Sequence, residues 1–355
     1  MLKLAANNFL IPLGVVYLSV FLLRKLALKF NIVDTPNRRK IHKTPIPILG
    51  GLAIFLGMGA AIYLNPEVIK EFSFLFAGAT FILIVNLMDD IKGLSAVFRF
   101  TIEFIIALFV ILTGTRISFL PPGMLGDSIE VIISLIWLVG IANAFNYLDG
   151  MDGLAAGSAA INALFFAFIL FRTQQPQLGF LALIVMASCL GFLPHNFNKK
   201  AKMFLGDSGS TFIGFMLASI AMRGNWAEDN IIKLTVPILI LGVPIFDMIL
   251  TTIMRIREEK ISTIIEWFKY GGKDHFHHRL VDLGLRTTGA VLAIYFITIA
   301  LGINAIIIAN SRGRLEGFLA IIQASIIFGV IAVLMLIGKK RRSGWNIAQK
   351  NKPLC

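Results

Sequence analysis

The stretch VIISLIWLVGIANAFNYLDGMDGLA, residues 131 to 155, reads in two halves. The first belongs to an apolar run, 129–147, of roughly the length that a membrane-crossing helix needs. The second sets Asn143, Asn146, Asp149 and Asp152 at every third position. At about 100° per residue, three-residue steps drift slowly around a helix, so Asn143 and Asn146 fall on adjacent parts of one face. Gly150 and Gly153 let the backbone leave that helix and approach a ligand closely. Carboxylates beside hydrocarbon are expensive, and such a cluster marks a functional site. An ordinary helix end with a glycine turn needs the glycines. It does not need two carboxylates and two amides.

The rest of the chain has the same character. Of 355 residues, 57% are hydrophobic and 15% charged, with a mean hydropathy of +0.82. Soluble domains carry roughly a quarter charged residues, so the expected class is an all-α, polytopic membrane protein. Cys189 and Cys355 offer no disulfide framework, and the ending NKPLC is not a prenylation box. Further apolar runs near 9–28, 48–64, 72–88, 100–113, 154–171, 178–193, 211–222, 231–254, 290–309 and 317–337 bring the expected number of spans to about eleven. The first has its stronger charge after the apolar stretch and no small-residue cleavage site, so it reads as a retained span.

With eleven spans, 25 of the 33 Lys and Arg residues fall on one side of the membrane. That asymmetry predicts the N-terminus outside and the C-terminus in the cytoplasm. The basic tail at 338–355 then reads as a lipid-facing cytoplasmic anchor and not as a nucleic-acid binder. No repeat or soluble appendage is visible, so 1–355 is treated as a single membrane-embedded domain.

Four more clusters fall on the predicted cytoplasmic side. The loop DTPNRRKIHKTPIPILGG, 34–51, holds Lys43 among other basic residues and ends in stiffening prolines and paired glycines. Asp89 and Asp90 follow the third run, with Lys92 and Arg99 beyond them. Adjacent carboxylates repel and need a cation or proton nearby, and helix capping accounts for only one of them. PHNFNKKAKMFLGDSGS, 194–210, presents Asp207 between glycines ahead of a helix, a setting compatible with Mg²⁺ beside phosphate oxygens. DHFHHRL holds His275, His277, His278 and Arg279. Without Cys or an H-E-x-x-H element, those side chains suit phosphate or sugar better than zinc.

In order, and over residues 34 to 280, these pieces resemble the polyprenyl-phosphate N-acetylhexosamine-1-phosphate transferase superfamily. The HxHHR loop is similar to that of bacterial enzymes that move GlcNAc-1-phosphate onto undecaprenyl phosphate. The branch that uses UDP-MurNAc-pentapeptide arranges its histidines differently. The resemblance implies Asp207 as the principal Mg²⁺ ligand, with Asn146 as a second and Mn²⁺ able to substitute. It implies Phe204 stacked on uracil and Asp152 reading the uracil edge. Asp89 and Asp90 match the essential pair near the lipid phosphate and, with Asp207, make the implied catalytic set, while Arg99 takes a position usually held by a basic residue. Lys43, Asn143 and Asp149 join the substrate-binding set, and His275, His277, His278 and Arg279 hold the diphosphate and sugar. NFNKKA, ahead of the GDSGS stretch, departs from the shorter, proline-containing family pattern, which puts Asn196 in doubt as a nucleotide contact.

The implied reaction moves GlcNAc-1-phosphate from UDP-GlcNAc to undecaprenyl phosphate in the bacterial cytoplasmic membrane. UMP is released in the first lipid-linked step of a cell-surface glycan, and homodimers occur in the family. UDP-GalNAc and UDP-MurNAc-pentapeptide are the alternative donors. A secondary transporter is the rival class, but its sites are expected near the bilayer midplane on broken helices of repeated halves. Clusters at span ends on one side favour the enzyme.

Overall fold

A computed structural model describes residues 2–35, 44–120, 123–198, 201–263, 266–267, 270, 272, 274–311 and 314–350; for Leu2 and 334–350 this covers the backbone only. Lys43 lies outside the described residues. The described chain is helical apart from one antiparallel pair, β1 (Val33–Asp34) and β2 (Ile46–Pro47). In chain order the helices are α1 (Leu2–Lys29), α2 (Gly50–Tyr63), α3 (Pro66–Lys92), α4 (Ala96–Leu112), α5 (Met124–Leu148), α6 (Leu154–Arg172) and α7 (Pro176–Asn196). They continue with α8 (Gly206–Arg223), α9 (Asn230–Ile240), α10 (Gly242–Arg257), α11 (Phe276–Asp282), α12 (Thr287–Ala309) and α13 (Arg314–Lys350).

Local chemistry sets several of these ends. Asn65 caps α3 by accepting from the Val68 amide at 3.4 Å, with Pro66 at the first helical position. Gly93 closes the same helix in the left-handed conformation at φ 68°. Two residues later Ser95 accepts from Phe98 N at 3.2 Å and starts α4. This short turn brings Arg99 back over Asp89.

The helix at the centre is α8, buried from Ser208 to Met222 and flanked by α2, α3, α5, α6 and α7. Glycines allow the close approaches. A Cβ at Gly51 would collide with Gly209 of α8, and one at Gly214 would sit 2.9 Å from Ala142 Cα of α5. The paired glycines of 34–51 therefore accommodate the protein's own backbone: Gly50 N donates to Phe204 O at 3.1 Å and Gly51 N to Leu205 O at 2.9 Å. At the periphery the polarity pattern of a soluble protein is reversed, with Leu18, Leu22, Phe296 and Ile326 exposed. Hydrocarbon is the solvent that such a surface fits.

Among the described residues, seven helices are long and apolar enough to cross a membrane: α1, α3, α5, α6, α7, α12 and the 314–333 part of α13. The run 231–254, expected as one span, is two helices, α9 and α10, bent by 77°. Pro244, third in α10, has no N–H for the carbonyl one turn earlier, so the helical ladder stops there. Counted as one broken span, this pair is an eighth. The expected eleven also includes α2 and α4, which have 14 and 17 residues, and α8, which opens on a polar turn.

The α2–α8 contact yields a stability prediction. Gly51→Ala forces a methyl group against the Gly209 backbone and should cost about 1–3 kcal/mol. Thermal unfolding of the purified protein in detergent checks this, and an unchanged melting temperature would mean that the two helices part freely.

Candidate active site

The site begins with a helix end that does not cap itself. Leu205, ahead of α8, has no side chain able to accept the first amide hydrogens. Asp90, from the end of α3, accepts them instead: Oδ1 from Asp207 N at 3.2 Å and Oδ2 from Ser208 N at 3.1 Å. The positive end of the helix dipole suits a carboxylate there. Gly206, at φ 79°, makes room, because a Cβ would approach Asp90 Oδ2 to 2.8 Å.

Asp89 points elsewhere. Its Oδ1 accepts from Leu94 N at 2.5 Å, and its Oδ2 takes the Arg99 Nη1 hydrogen bond at 2.7 Å. The same Nη1 reaches Asp207 Oδ2 at 3.0 Å, so Arg99 bridges carboxylates from two helices. One turn along α4, buried Glu103 stands with Oε1 4.0 Å from Arg99 Nε. Glu103 accepts from Asn86 of α3 at 3.2 Å and from Asn143 of α5 at 2.9 Å.

The 143–153 stretch reaches α4, α8 and the histidine segment. Asn143 meets Glu103, and Asn146 Nδ2 donates to Thr211 Oγ1 at 3.4 Å, one turn after Asp207. The Tyr147 ring lies 4.9 Å from that of His275, and Gly150 lies so close under His277 that a Cβ would collide with its Nε2. Gly153 N donates to Asn196 Oδ1 at 2.6 Å, while Tyr295 OH donates to Gly153 O at 2.5 Å. Asp149 sits among these contacts with its carboxyl pushed well above the usual range, by burial first and then by the carboxylates of Asp207, Asp90 and Asp152.

The histidine segment is gripped by α10. Buried Asp247 accepts from Phe276 N at 2.6 Å and faces His275 Nδ1 at 3.2 Å. Arg255 makes a two-pronged pair with Asp274, Nε to Oδ2 at 3.0 Å and Nη2 to Oδ1 at 2.8 Å, and Nη2 also lies 3.2 Å from His275 Nε2. Guanidinium can only donate, so His275 Nε2 accepts and Nδ1 carries the proton given to Asp247. Burial alone would raise the Asp274 carboxyl, but Arg255 outweighs burial and holds it below its usual range. His277 is buried with no hydrogen-bond partner for either ring nitrogen among the described residues. Burial pushes its pKa down to about 3, with His278 and His275 adding to the effect and Asp247 opposing it, so the ring is a neutral imidazole.

The glycosyl transferase family 4 pattern matches residues 72–225, which contain Asp89, Asp90, Arg99, the 143–153 stretch and Asp207. Over 338 residues the chain is 32% identical to a probable undecaprenyl-phosphate N-acetylglucosaminyl 1-phosphate transferase of Bacillus subtilis, covering 94% of this chain and 92% of that one. The chain belongs to this transferase family. It is also 32% identical to a decaprenyl-phosphate N-acetylglucosaminephosphotransferase of Mycobacterium tuberculosis, covering 91% and 87% of the two chains. The Escherichia coli undecaprenyl-phosphate alpha-N-acetylglucosaminyl 1-phosphate transferase is 26% identical over 78% of this chain and 76% of its own.

Within this family 4 enzyme, the expected residues divide by what they touch. Asp89, Asp90, Arg99 and Asp207 form one connected group, His275 and His277 lie beside the 143–153 stretch, and Arg279 Nε donates to Asp274 O at 2.7 Å. Phe204, Asp152 and His278 are partly buried at the same end. Asn143 has its amide hydrogens committed to Glu103 and Val139 O, which makes it part of the scaffold. Asn196 is a strut: besides accepting from Gly153, it donates to Met203 O at 3.0 Å. Glu103, Asp247 and Arg255 are the contributors that motif reading misses. The available signal was an ionisable side chain inside an apolar run.

Asp89 and Asp90 should therefore respond differently to mutation. Asp90→Asn loses an anionic cap and should lower stability by about 0.5–2 kcal/mol. Asp89→Asn should lower turnover while costing less stability than Asp90→Asn, because Arg99 keeps Asp207 and Glu103 as counter-charges. Thermal unfolding measured beside turnover separates the two, and equal melting temperatures would deny Asp90 the capping role.

Proposed function

We propose that this transferase moves GlcNAc-1-phosphate from UDP-GlcNAc to undecaprenyl phosphate and releases UMP. The reading includes all eleven expected spans, the N-terminus outside, and the site at the cytoplasmic face of a bacterial inner membrane. The observation that carries it is the meeting of Asp89, Arg99 and Asp207 with the 143–153 stretch and a neutral, unpartnered His277 at one end of the bundle. The names of the relatives supply the chemical class.

An oxygen of the lipid phosphate attacks the β-phosphorus in line with the departing UMP oxygen. A phosphate monoester with its second pKa near ~6 is already a nucleophile at neutral pH, so no strong base is needed. Asp90 is spent on the α8 amides, which leaves Asp89 to orient Arg99 toward the acceptor. The neutral imidazole of His277, with the other members of the histidine segment and Arg279, holds the diphosphate and sugar. Phe204 and Asp152 receive the uracil. Asp207 suits a divalent metal because its side chain is 46% exposed and is not consumed as a cap. Mg²⁺, or Mn²⁺ in its place, would be held by Asp207 with Asn146, whose Oδ1 is left by the Thr211 bond. When bound, the metal neutralises charge on the diphosphate. A homodimer is part of the same reading.

The test is UMP release by purified protein given undecaprenyl phosphate and, in turn, UDP-GlcNAc, UDP-GalNAc and UDP-MurNAc-pentapeptide. UDP-GlcNAc should be used and the pentapeptide donor refused, and efficient turnover of the pentapeptide donor would assign the other branch. Asp207→Asn should abolish turnover. Arg279→Ala should cost about 1.5–3 kcal/mol in kcat/KM through a lost charged hydrogen bond.

A further inference from the structure

Arg99 stands where a cation on Asp207 would be expected. A single nitrogen, Nη1, hydrogen-bonds Asp89 Oδ2 at 2.7 Å and Asp207 Oδ2 at 3.0 Å. The surroundings explain why a guanidinium settles there. Asp89, Asp90, Asp149 and Asp207 face one region, and Asp90 has both oxygens taken by amides. Asp207 is the more exposed partner of Arg99, at 46% against 15% for Asp89. A long side chain that is itself 19% exposed can reach both. It also has a second anchor, since Glu103 stands 4.0 Å from Nε on the same helix and is fixed by Asn86 and Asn143.

We infer that Arg99 is the resident counter-cation of Asp207 and competes with a divalent metal for it. The guanidinium holds Asp207 while the metal is away, and yields that oxygen, keeping Asp89 and turning toward Glu103, when the metal binds. Two cations cannot share one carboxylate oxygen at hydrogen-bond distance without strong repulsion. The bond from Arg99 to Asp207 therefore tunes how tightly metal is held, and the guanidinium keeps the carboxylate cluster from repelling itself in the meantime. By linkage, whatever draws Arg99 off Asp207 also tightens metal binding. An anionic acceptor phosphate arriving beside Asp89 is such a group. This inference rests on the reading of Asp207 as a metal ligand.

The experiment is Mn²⁺ titration of the full-length protein in detergent, without substrates, followed by electron paramagnetic resonance. Arg99→Ala should bind Mn²⁺ about tenfold more tightly than wild type, the scale of one charged hydrogen bond. Lys92→Ala, which removes an exposed charge from the end of α3 near Asp89, should shift affinity by less than about twofold because such charges are screened. Added guanidinium chloride, compared with sodium chloride at equal ionic strength, should weaken Mn²⁺ binding to Arg99→Ala and leave wild type unaffected. Arg99→Gln serves if the alanine variant does not fold. Unchanged affinity in both Arg99 variants, or equal tightening by Lys92→Ala, overturns the competition. Mn²⁺ binding that survives Asp207→Asn instead overturns the metal reading itself, whatever Arg99 does.

Discussion

Two amide hydrogens at the start of α8 need an acceptor, and Asp90 reaches across from α3 to supply it. Most of the site follows from this contact. It fixes the end of α3 against the start of the central helix, and so fixes Asp89 beside Asp207. It occupies one of two adjacent carboxylates with a partially positive helix end, which relieves the repulsion between them. Arg99 then completes the arrangement from α4. A buried glutamate and two amides hold that arginine's helix against α3 and α5.

A second constraint is the lack of slack around residues 143–153. Gly150 sits under the His277 ring, Gly153 is held from both sides by Asn196 and Tyr295, and Asn143 is tied to Glu103. The acidic half and the histidine half of the site are thus registered through one short piece of backbone. Preorganisation of this kind lets an enzyme stabilise charge without reorganising at the moment of reaction.

Much of this was legible in the sequence, for physical reasons. Long apolar runs, and charges gathered at their ends, read directly as spans and as a single polar face. The 143–153 stretch was conspicuous because polar groups are costly beside hydrocarbon, Asp207 because glycines flank it ahead of a helix, and the histidine segment because four donors crowd one short stretch. What escaped depended on pairing across the fold. Nothing local says that Asp90 caps a helix 117 residues away, or that Gly50 and Gly51 make room for residues 204 to 209. Glu103 and Asp247 were visible as carboxylates inside apolar runs, but their partners lie on other helices. The break at Leu241 was hidden because the composition of 231–254 stays apolar throughout.

That break matters beyond its effect on the span count. Because α10 turns away from α9 by 77°, it runs past the site as a separate arm and holds the histidine segment from two points, Asp247 and Arg255. Both holds lie upstream of the connection between residues 257 and 274, and both act on its far end. The described residues of that connection pack on the same arm: Trp267 Nε1 donates to Thr252 Oγ1 at 2.7 Å, and the Tyr270 ring lies 4.7 Å from the Arg255 guanidinium. A change of length there is felt at Arg255 and Tyr147, and both of these touch His275, so the connection and the imidazoles vary together.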